Sequence, residues 1–209
     1  PMIKFTVVTC TFNAESVLQR TLDSVNKQTY CNVEHLIIDG VSKDKTLAMV
    51  KAYQHKAQVG ENAHEIVVYS EPDKGLYDAM NKGIAMATGK YCIFMNSGDH
   101  FFSATTLEDA APQLDGTDYC VGRTIVLDEK YASLRMPPKS PTLRYLSDNA
   151  LQHQSTFIKT KLLKEHTYDE SLKIAADWAH FIESWYVRPH SYKPIDTLVA
   201  VFYLDGISF

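Results

Sequence analysis

The sequence predicts an α/β fold built around a mostly parallel, doubly wound central sheet with helices on both faces. In the first hundred residues, short apolar runs alternate with longer segments of helical period. This alternation is typical of repeated strand-helix-strand units. The apolar runs are nearly continuous, as expected for strands that are buried on both faces of a sheet.

Four strands and three helices are predicted in this first region. The strands are FTVVTC, VEHLIID, EIVVYS and KYCIFMN, and the helices between them are NAESVLQRTLDSVNKQ, SKDKTLAMVKAYQHK and LYDAMNKGIAMATG. Each strand ends in a polar cluster, at residues 9–15, 39–44, 70–74 and 96–99. Because α/β sheets bind ligands outside the carboxyl ends of their strands, we expect these clusters to converge on one crevice.

After about residue 103 the alternation ends. TDYCVGRTIVLDEKYASLR predicts two strands, with a helical second half left open, and LQHQSTFIK predicts another strand. AADWAHFIESWYV predicts a helix with its aromatic residues in the core, and LVAVFY predicts a closing strand. We expect one domain over residues 1–209, divided at about residue 102. The sequence ends in GISF soon after the last predicted strand, which leaves a C-terminal truncation open.

Composition narrows the classes of function. The net charge is −4 and no basic run is interleaved with aromatic residues, so nucleic acid is excluded as a partner. There is no run of about 18 apolar residues and no signal-peptide pattern in PMIKFTVVTCTF. We therefore expect a soluble intracellular protein with no membrane span. The four irregularly spaced cysteines predict buried free thiols rather than a metal or disulfide framework.

The cluster that follows the fourth strand, Asn96 to Asp99, is a candidate metal site. From spacing alone a simple turn explains it equally well. An acid at the end of a central strand also suits a divalent cation that is shared with a nucleotide diphosphate, because Mg²⁺ and Mn²⁺ often take only one or two protein carboxylates. The loop TCTFNAE lacks both a dinucleotide fingerprint and a Walker lysine, which disfavours hydride transfer and P-loop chemistry.

Six segments carry a resemblance to a known family: VVTCTFNAESVLQRTLDSVNKQTY, VEHLIIDGVSKDKT, SEPDKGLYDAMNKGIAMATGKY, FMNSGD, HQSTFI and IAADW. Through them the chain resembles the inverting, nucleotide-sugar-dependent glycosyltransferases of family 2, which have the GT-A fold. It is similar in particular to bacterial members that act in colanic acid and other exopolysaccharide synthesis. The resemblance implies that residues 1–102 bind the donor and that residues 103–209 form the acceptor side.

The resemblance also implies which residues contact the donor. Thr9, Asn13 and Glu15 match the loop that flanks the nucleotide, and Asp39 matches the acid that reads the edge of the base. The other implied donor contacts are Asp73, Lys74, Gly75, Asp78, Asn81 and Ser97. Considered without the resemblance, Asn13 is a candidate helix cap, Asp39 a surface turn and Lys74 part of a solvated face.

Asp99 matches the last acid of the metal-binding motif of the family, which implies a divalent cation, Mn²⁺ or Mg²⁺. The sequence departs from the family pattern here, because Gly98 and Asn96 stand where acids are usual. Fewer carboxylates predict metal binding that depends more on the diphosphate. Met80 also stands where many relatives carry an arginine, so part of their phosphate or base contact is missing or replaced.

On the acceptor side, Asp177 matches the catalytic base of a single displacement with inversion. It lies four residues before Phe181 at the edge of an apolar stripe, so we expect desolvation to raise its pKa. Without the resemblance, an acid that caps or begins a helix is the better explanation. The implied acceptor-side residues are His153, Gln154 and Trp178, with structural hydrogen bonds as the alternative for the first two.

The implied partners are a nucleotide-sugar donor, with UDP-sugar favoured, and a saccharide or lipid-linked saccharide acceptor. A lipid-linked acceptor would bring a cytoplasmic chain to the inner face of the cell membrane, so peripheral membrane contact stays open. Three other functions are weighed against transfer. They are a catalytically silent sugar-nucleotide-binding domain, a nucleotidyltransferase that releases pyrophosphate, and a nonenzymatic interaction module.

Overall fold

One mixed sheet of nine strands organises residues 2–59 and 64–204, the part of the chain that the computed structural model describes. The strands are β1 (Phe5–Thr11), β2 (Val33–Asp39), β3 (Glu65–Ser70), β4 (Tyr91–Phe94), β5 (His100–Phe101), β6 (Tyr119–Leu127), β7 (Ala132–Arg135), β8 (Thr156–Lys159) and β9 (Tyr192–Tyr203). The helices are α1 (Leu18–Asn26), α2 (Thr46–Gln58), α3 (Leu76–Met86), α4 (Thr106–Ala110), α5 (Leu143–Asp148), α6 (Thr160–Glu165) and α7 (Ala176–Ile182). The strand order is β3-β2-β1-β4-β8-β6-β9-β5, and β7 pairs with β6.

The first half of the sheet is parallel, as the sequence predicts. β1 lies between β2 and β4, and β2 continues to β3, with all pairs parallel. The register sets Thr11 opposite Asp39 and Asp39 opposite Ser70. The polar strand ends therefore lie side by side at the carboxyl edge of the sheet.

The second half of the sheet is antiparallel where it joins the first. β8 runs antiparallel to β4 and to β6, and β9 is parallel to β6. β6 and β7 form an antiparallel hairpin, so the helical alternative for this segment is wrong. The strand predicted in LQHQSTFIK is shorter than expected, because residues His153–Ser155 form a 3-10 turn before β8 begins.

Helices cover both faces of the sheet, which confirms the doubly wound arrangement. Alternate residues of β1 point to opposite faces, since Val8 packs in one core cluster and Val7 in another. The helices α3, α6 and α7 contribute to the cluster of Val8. The helices α1, α2 and α4 lie over the opposite face. α7 supplies the buried Phe181 and continues as a π-helical turn, Glu183–Val187.

Three of the four cysteines are buried and free, as expected, whereas Cys31 is exposed. Within the described ranges the longest helix, α2, has 13 residues, and no helix has both the length and the apolar character needed to cross a bilayer.

Residues 205–209, where the sequence leaves a truncation open, lie outside the described residues.

A buried carboxylate holds the opposite edge of the sheet together. Glu34 is 2% exposed and lies at the start of β2. Its side chain accepts hydrogen bonds from the Thr6 hydroxyl at 2.7 Å, and from the Thr88 backbone N–H and hydroxyl at 2.9 and 2.7 Å. The Lys4 ammonium lies 3.5 Å away. Burial raises the pKa of Glu34, but these contacts outweigh it and the pKa lies below its usual value.

We expect Glu34→Gln to destabilise the protein by about 2 kcal/mol, because charge-assisted hydrogen bonds lose their ionised acceptor. For a chain of this size that lowers Tm by roughly 4–8 °C in calorimetry. The folded pKa is lowered, so the stabilisation is present above the unfolded pKa and lost as pH falls through the folded value. The Tm gap between wild type and variant should therefore close in acid.

The matched control is Glu65→Gln, which removes an exposed acid that also contacts Lys4, at 2.9 Å. An exposed ion pair contributes little, so this variant should unfold within about 1 kcal/mol of wild type. Equal loss of stability in both variants would show that burial of Glu34 is not what matters.

Candidate active site

The loops that follow β1 and β2 are tied together at the carboxyl edge of the sheet. The Asn13 side-chain oxygen accepts from the Lys43 N–H at 2.8 Å, and a Glu15 oxygen accepts from the Lys45 N–H at 2.8 Å. The Asn13 N–H donates to the Ser42 hydroxyl at 2.9 Å. α1 begins only at Leu18, so Asn13 is not its cap. Both Asn13 and Glu15 are exposed and fix the shape of this rim of the crevice.

Asp39 lies beneath these loops and is fully buried rather than part of a surface turn. Its carboxylate accepts four hydrogen bonds, from the Thr11 hydroxyl at 2.8 Å, the Ser70 hydroxyl at 2.8 Å, and the Ser42 hydroxyl and N–H at 2.5 and 3.0 Å. Burial raises its pKa, but these donors outweigh it and hold the pKa below its usual value. Asp39 thus joins the ends of three neighbouring segments.

Two further residues that the sequence predicts to contact the sugar donor lie at the floor of the crevice. Thr9 is fully buried, and its hydroxyl donates to the Met95 carbonyl at 2.7 Å and contacts the His35 ring at 2.8 Å. This position does not support a direct contact between the Thr9 side chain and a ligand. The half-buried Ser97 donates its hydroxyl hydrogen to the Cys10 carbonyl at 2.8 Å.

The segment from Asp73 to Asp78 forms the next wall. Asp73 accepts from the Gly75 N–H at 3.0 Å, and Asp78 accepts from the exposed Lys74 N–H at 2.8 Å. Asp73 lies against Gly40, where a Cβ atom would come within 2.4 Å of an Asp73 carboxylate oxygen. The absence of a side chain at Gly40 leaves room for the Asp73 carboxylate beside the end of β2.

Phe12 is a candidate site residue that the sequence reasoning missed. It follows β1 directly, its side chain is 59% exposed, and it reaches the same Gly40 from the other side. Its position beside the polar strand ends, rather than its exposure alone, makes the ring a candidate contact for a ligand. The signal was visible in TCTFNAE, where Phe12 is the one large apolar residue among polar neighbours.

Asn81 has a different environment from the other predicted donor residues. Its side-chain N–H groups donate to the Tyr168 carbonyl at 2.9 Å and to Glu170 at 3.0 Å, and its oxygen accepts from the Tyr168 N–H at 2.9 Å. These bonds clamp α3 to the segment before α7. The position favours a structural role for Asn81.

Asp99 ends the turn after β4 with its side chain pointing into the protein, at 7% exposure. Gly98 has φ +103°, a conformation that side chains rarely allow, which explains why no acid stands there. The Gln154 amide donates to an Asp99 oxygen at 3.1 Å. Burial raises the pKa of Asp99 to about 6, although His153 and Gln154 lower it. Asp99 is therefore the least compensated carboxylate of the crevice.

Among the described residues, Asp99 belongs to no cluster of potential metal ligands. Across residues 2–59 and 64–204, no group of three or more His, Cys, Asp or Glu side chains is arranged to hold a metal ion. A divalent cation here would take Asp99 as its protein ligand and most of its other oxygens from a bound diphosphate and water. The oxygen chemistry and the burial of Asp99 fit such a cation.

Asp177 lies in the first turn of α7, as predicted, and both of its oxygens are hydrogen-bonded. The Tyr77 hydroxyl donates to one at 3.0 Å, and the His153 Nδ1 lies 3.2 Å from the other. An ionised carboxylate only accepts, so His153 carries a proton on Nδ1. The two contacts fix the direction of the carboxylate from α3 and from the turn before β8.

The expected rise in the pKa of Asp177 is wrong. Burial does raise it, but the hydrogen bond and charge of His153, with the Tyr77 hydroxyl, outweigh burial and lower the pKa to about 2. The pKa of His153 moves the opposite way. Burial lowers it, but the bond to Asp177 and the nearby Asp99 charge raise it above its usual value. Each group thus stabilises the charged form of the other.

His153 and Gln154 connect the two carboxylates, since His153 bonds Asp177 and Gln154 bonds Asp99. Each keeps one buried polar atom, His153 Nε2 and Gln154 Oε1, that has no hydrogen-bond partner among the described residues. A buried polar atom without a hydrogen bond destabilises the folded state unless a ligand or a water molecule bonds to it. Trp178 donates its indole N–H to the Leu146 carbonyl at 2.7 Å and lines a small cavity together with Asp177.

Comparison with known proteins gives the family. Residues 6–176 match the model of glycosyl transferase family 2. A PGL/p-HBAD biosynthesis glycosyltransferase of Mycobacterium bovis is 28% identical over 178 residues, 83% of this chain and 66% of the relative. An uncharacterized glycosyltransferase of Mycobacterium tuberculosis is 33% identical over 181 residues, 82% of this chain and 64% of the relative. The chain thus spans about two thirds of the length of these curated relatives.

Solved structures share the fold. S. aureus TarS 1-349 in complex with UDP has a TM-score of 0.77 and 21% identity, covering 97% of this chain and 61% of that one. The mannosyltransferase PcManGT from Pyrobaculum calidifontis, in complex with GDP-Man and Mn²⁺, has a TM-score of 0.69 and 17% identity, covering 96% of this chain and 57% of that one. With well over half of its length matched by the family model, the chain belongs to glycosyl transferase family 2 and has the GT-A fold.

Proposed function

We propose that this chain is an inverting glycosyltransferase that transfers a sugar from a nucleoside diphosphate sugar to an acceptor hydroxyl. The observation that carries the proposal is the connection of two acids, the buried Asp99 and the half-buried Asp177, through the adjacent residues Gln154 and His153. One acid suits the cation of a leaving diphosphate and the other suits a proton acceptor. The family membership supports the same reaction class.

The donor would lie across the carboxyl ends of β1, β2 and β4. Phe12 offers an exposed ring on which a nucleobase stacks, and stacking is tolerant of the base. Asp73 borders the same region beside Gly40, and the fully buried Asp39 holds the strand ends together beneath it. Structures of TarS with UDP and of PcManGT with GDP-Man support a nucleotide-sugar donor and justify testing both bases, with a UDP-sugar first.

Asp99 would hold a divalent cation, Mn²⁺ or Mg²⁺, whose charge would offset that of the departing nucleoside diphosphate. Gln154 keeps the Asp99 carboxylate in place through its 3.1 Å hydrogen bond. PcManGT, which shares the fold, was solved with Mn²⁺. Asp99 is the only acid of the motif FMNSGD, so the diphosphate itself would supply the further oxygens.

Transfer would proceed as a single displacement. The acceptor oxygen attacks the anomeric carbon from the face opposite the diphosphate, and the bond from that carbon to the diphosphate oxygen breaks. The hydroxyl proton passes to Asp177, whose carboxylate is ionised and is held in place by Tyr77 and His153. No covalent bond to the protein forms. The remaining donor and acceptor roles, including that of Trp178, belong to this proposal.

The biological role would be a step in bacterial polysaccharide synthesis, such as exopolysaccharide assembly, on the cytoplasmic side of the membrane. The M. bovis relative is a bacterial glycosyltransferase that is named for PGL/p-HBAD biosynthesis. A saccharide or a lipid-linked saccharide would be the acceptor.

Thermal unfolding with UDP, GDP and TDP, each with and without Mn²⁺, tests the donor crevice. Occupancy at about 100 times Kd stabilises the native state by ~2.7 kcal/mol, or roughly 5–10 °C in Tm. We expect one nucleotide to raise Tm, and Mn²⁺ to enlarge the rise. Asp99→Asn should abolish the additional rise in Tm that Mn²⁺ causes, because the carboxylate ligand is gone. The rise in Tm that the nucleotide causes without Mn²⁺ should be unchanged.

Phe12→Ala separates base contacts from metal contacts in the same assay. Loss of the aromatic ring on which the base would stack should weaken nucleotide binding by about 1–3 kcal/mol, with or without Mn²⁺. Tyr131→Ala removes an aromatic side chain that is 69% exposed in the β6–β7 turn, and it should bind as wild type does. No Tm response to any nucleotide in a folded sample would sink the donor-site proposal.

We expect Asp177→Asn to bind the donor normally and to lower kcat/KM for transfer by roughly 10²–10⁴-fold, because the proton acceptor is lost. The measurement is release of nucleoside diphosphate with a panel of acceptors. Asp169→Asn, an exposed acid in the same half, is the matched control and should retain full activity. Nucleotide binding without turnover in wild type would favour the silent domain, and pyrophosphate release would favour a nucleotidyltransferase.

His153→Ala tests how Asp177 is kept ionised. Burial raises the pKa of Asp177 and the His153 contacts are the largest of those that lower it, so without them the pKa should rise from about 2. The acid limb of kcat should then move to higher pH in the variant, measured between about pH 4 and 8 with donor and Mn²⁺ saturating. His153→Gln retains an N–H donor and should restore part of the profile. Superimposable profiles for wild type and His153→Ala would contradict the role of His153.

A further inference from the structure

Residues 130–145, which we name the basic segment, carry positive charge on an otherwise acidic chain. The segment includes β7, the proline-rich loop and the start of α5. It holds Lys130, Arg135, Lys139 and Arg144 and no acidic residue, whereas the whole chain has a net charge of −4. All four cations are exposed, and none forms an ion pair with any described residue. Their charge is therefore available to an external partner.

The same segment exposes large apolar side chains between its cations. Tyr131 is 69% exposed, Leu134 53%, Met136 59% and Leu143 58%. Single exposed apolar residues need no explanation, but four of them interleaved with four cations form a surface of mixed character. Exposure of this apolar area to water is unfavourable, and a partner with an apolar surface of its own would bury it best.

The basic segment also borders a large cavity of about 460 Å³. Leu134, Met136 and Tyr145 of the basic segment line it. The exposed Leu134 and Met136 show that the cavity reaches the surface at this segment. The cavity is also lined by Asp148 at the end of α5 and by Leu151 and Gln152, which directly precede His153. Leu151 also lines the small cavity that contains Asp177.

We propose that the basic segment docks on an anionic lipid bilayer. Lysine and arginine side chains are attracted to anionic headgroups, and apolar side chains between them insert at the headgroup boundary. The long stems of the cations bury along the same boundary. Charge complementarity and interleaved apolar residues together favour a lipid surface over an acidic protein, which would match the charge alone.

Docking would turn the mouth of the 460 Å³ cavity toward the lipid. In this respect the inference rests on the proposed function, because it specifies an acceptor whose saccharide is attached to a lipid. The docking itself requires no transfer reaction. A vesicle-binding measurement therefore fails or succeeds independently of the proposed activity.

The test is cosedimentation of the full chain with phosphatidylcholine vesicles that do or do not contain phosphatidylglycerol. We expect binding to the anionic vesicles only, with loss of binding as salt is raised. Lys139→Glu with Arg144→Glu should bind at least ~30-fold more weakly, because each cation near an anionic surface contributes about 1 kcal/mol. Tyr131→Ser with Leu143→Ser keeps the charge and should also bind more weakly.

The matched control is Lys51→Glu with Lys56→Glu, the same charge change on two exposed lysines of α2. α2 packs by β3, at the opposite end of the strand order from the β6–β7 hairpin. Its binding should weaken far less than that of the Lys139, Arg144 variant. Equal weakening of the two charge variants would overturn the assignment to this segment. So would absence of binding to anionic vesicles by wild-type protein that still responds to nucleotide.

Discussion

The site depends on how the free-energy cost of burying carboxylates is offset at the carboxyl edge of the parallel strands. Asp39, Asp99 and Asp177 are all largely removed from water, and burial raises the pKa of each. Asp39 is compensated by four hydrogen bonds from the protein, and Asp177 by its contacts with Tyr77 and His153. Asp99 has less compensation, and its pKa stays near 6. Hydrogen bonds within the protein therefore satisfy Asp39 and Asp177 more fully than Asp99, which is why we propose Asp99 as the ligand of a bound cation.

The connection between the two halves of the chain follows from the direction of β8. Because β8 runs antiparallel to β4, the turn before it is delivered to the same edge at which β4 ends. His153 and Gln154 occupy that turn, so one dipeptide reaches both Asp177 and Asp99. A parallel β8 would have placed its preceding turn at the edge held by Glu34. The antiparallel strand in an otherwise parallel neighbourhood is therefore what assembles the site.

The sequence was sufficient for features that depend on local pattern. The periods of the apolar residues predict the parallel half and its polar strand ends, and the family motifs identify Asp99 and Asp177. Properties set by distant partners could not be predicted. The low pKa of Asp177 depends on Tyr77, which is 100 residues away in sequence, and on His153. The burial of Thr9 depends on its contacts with His35 and Met95. Phe12, in contrast, was within reach of sequence reasoning.

In the proposed reaction, the low pKa of Asp177 limits how much proton removal contributes to lowering the barrier. A carboxylate whose pKa is about 2 binds a proton less strongly than an ordinary aspartate by about 2.5 kcal/mol, since one pKa unit is ~1.4 kcal/mol. It has little drive to remove a proton from a hydroxyl whose oxygen has not yet begun to bond. Proton transfer would then come late, after the anomeric carbon has lost much of its bond to the diphosphate. The larger share of the barrier would fall on departure of the diphosphate, beside the carboxylate, Asp99, that the protein leaves least compensated.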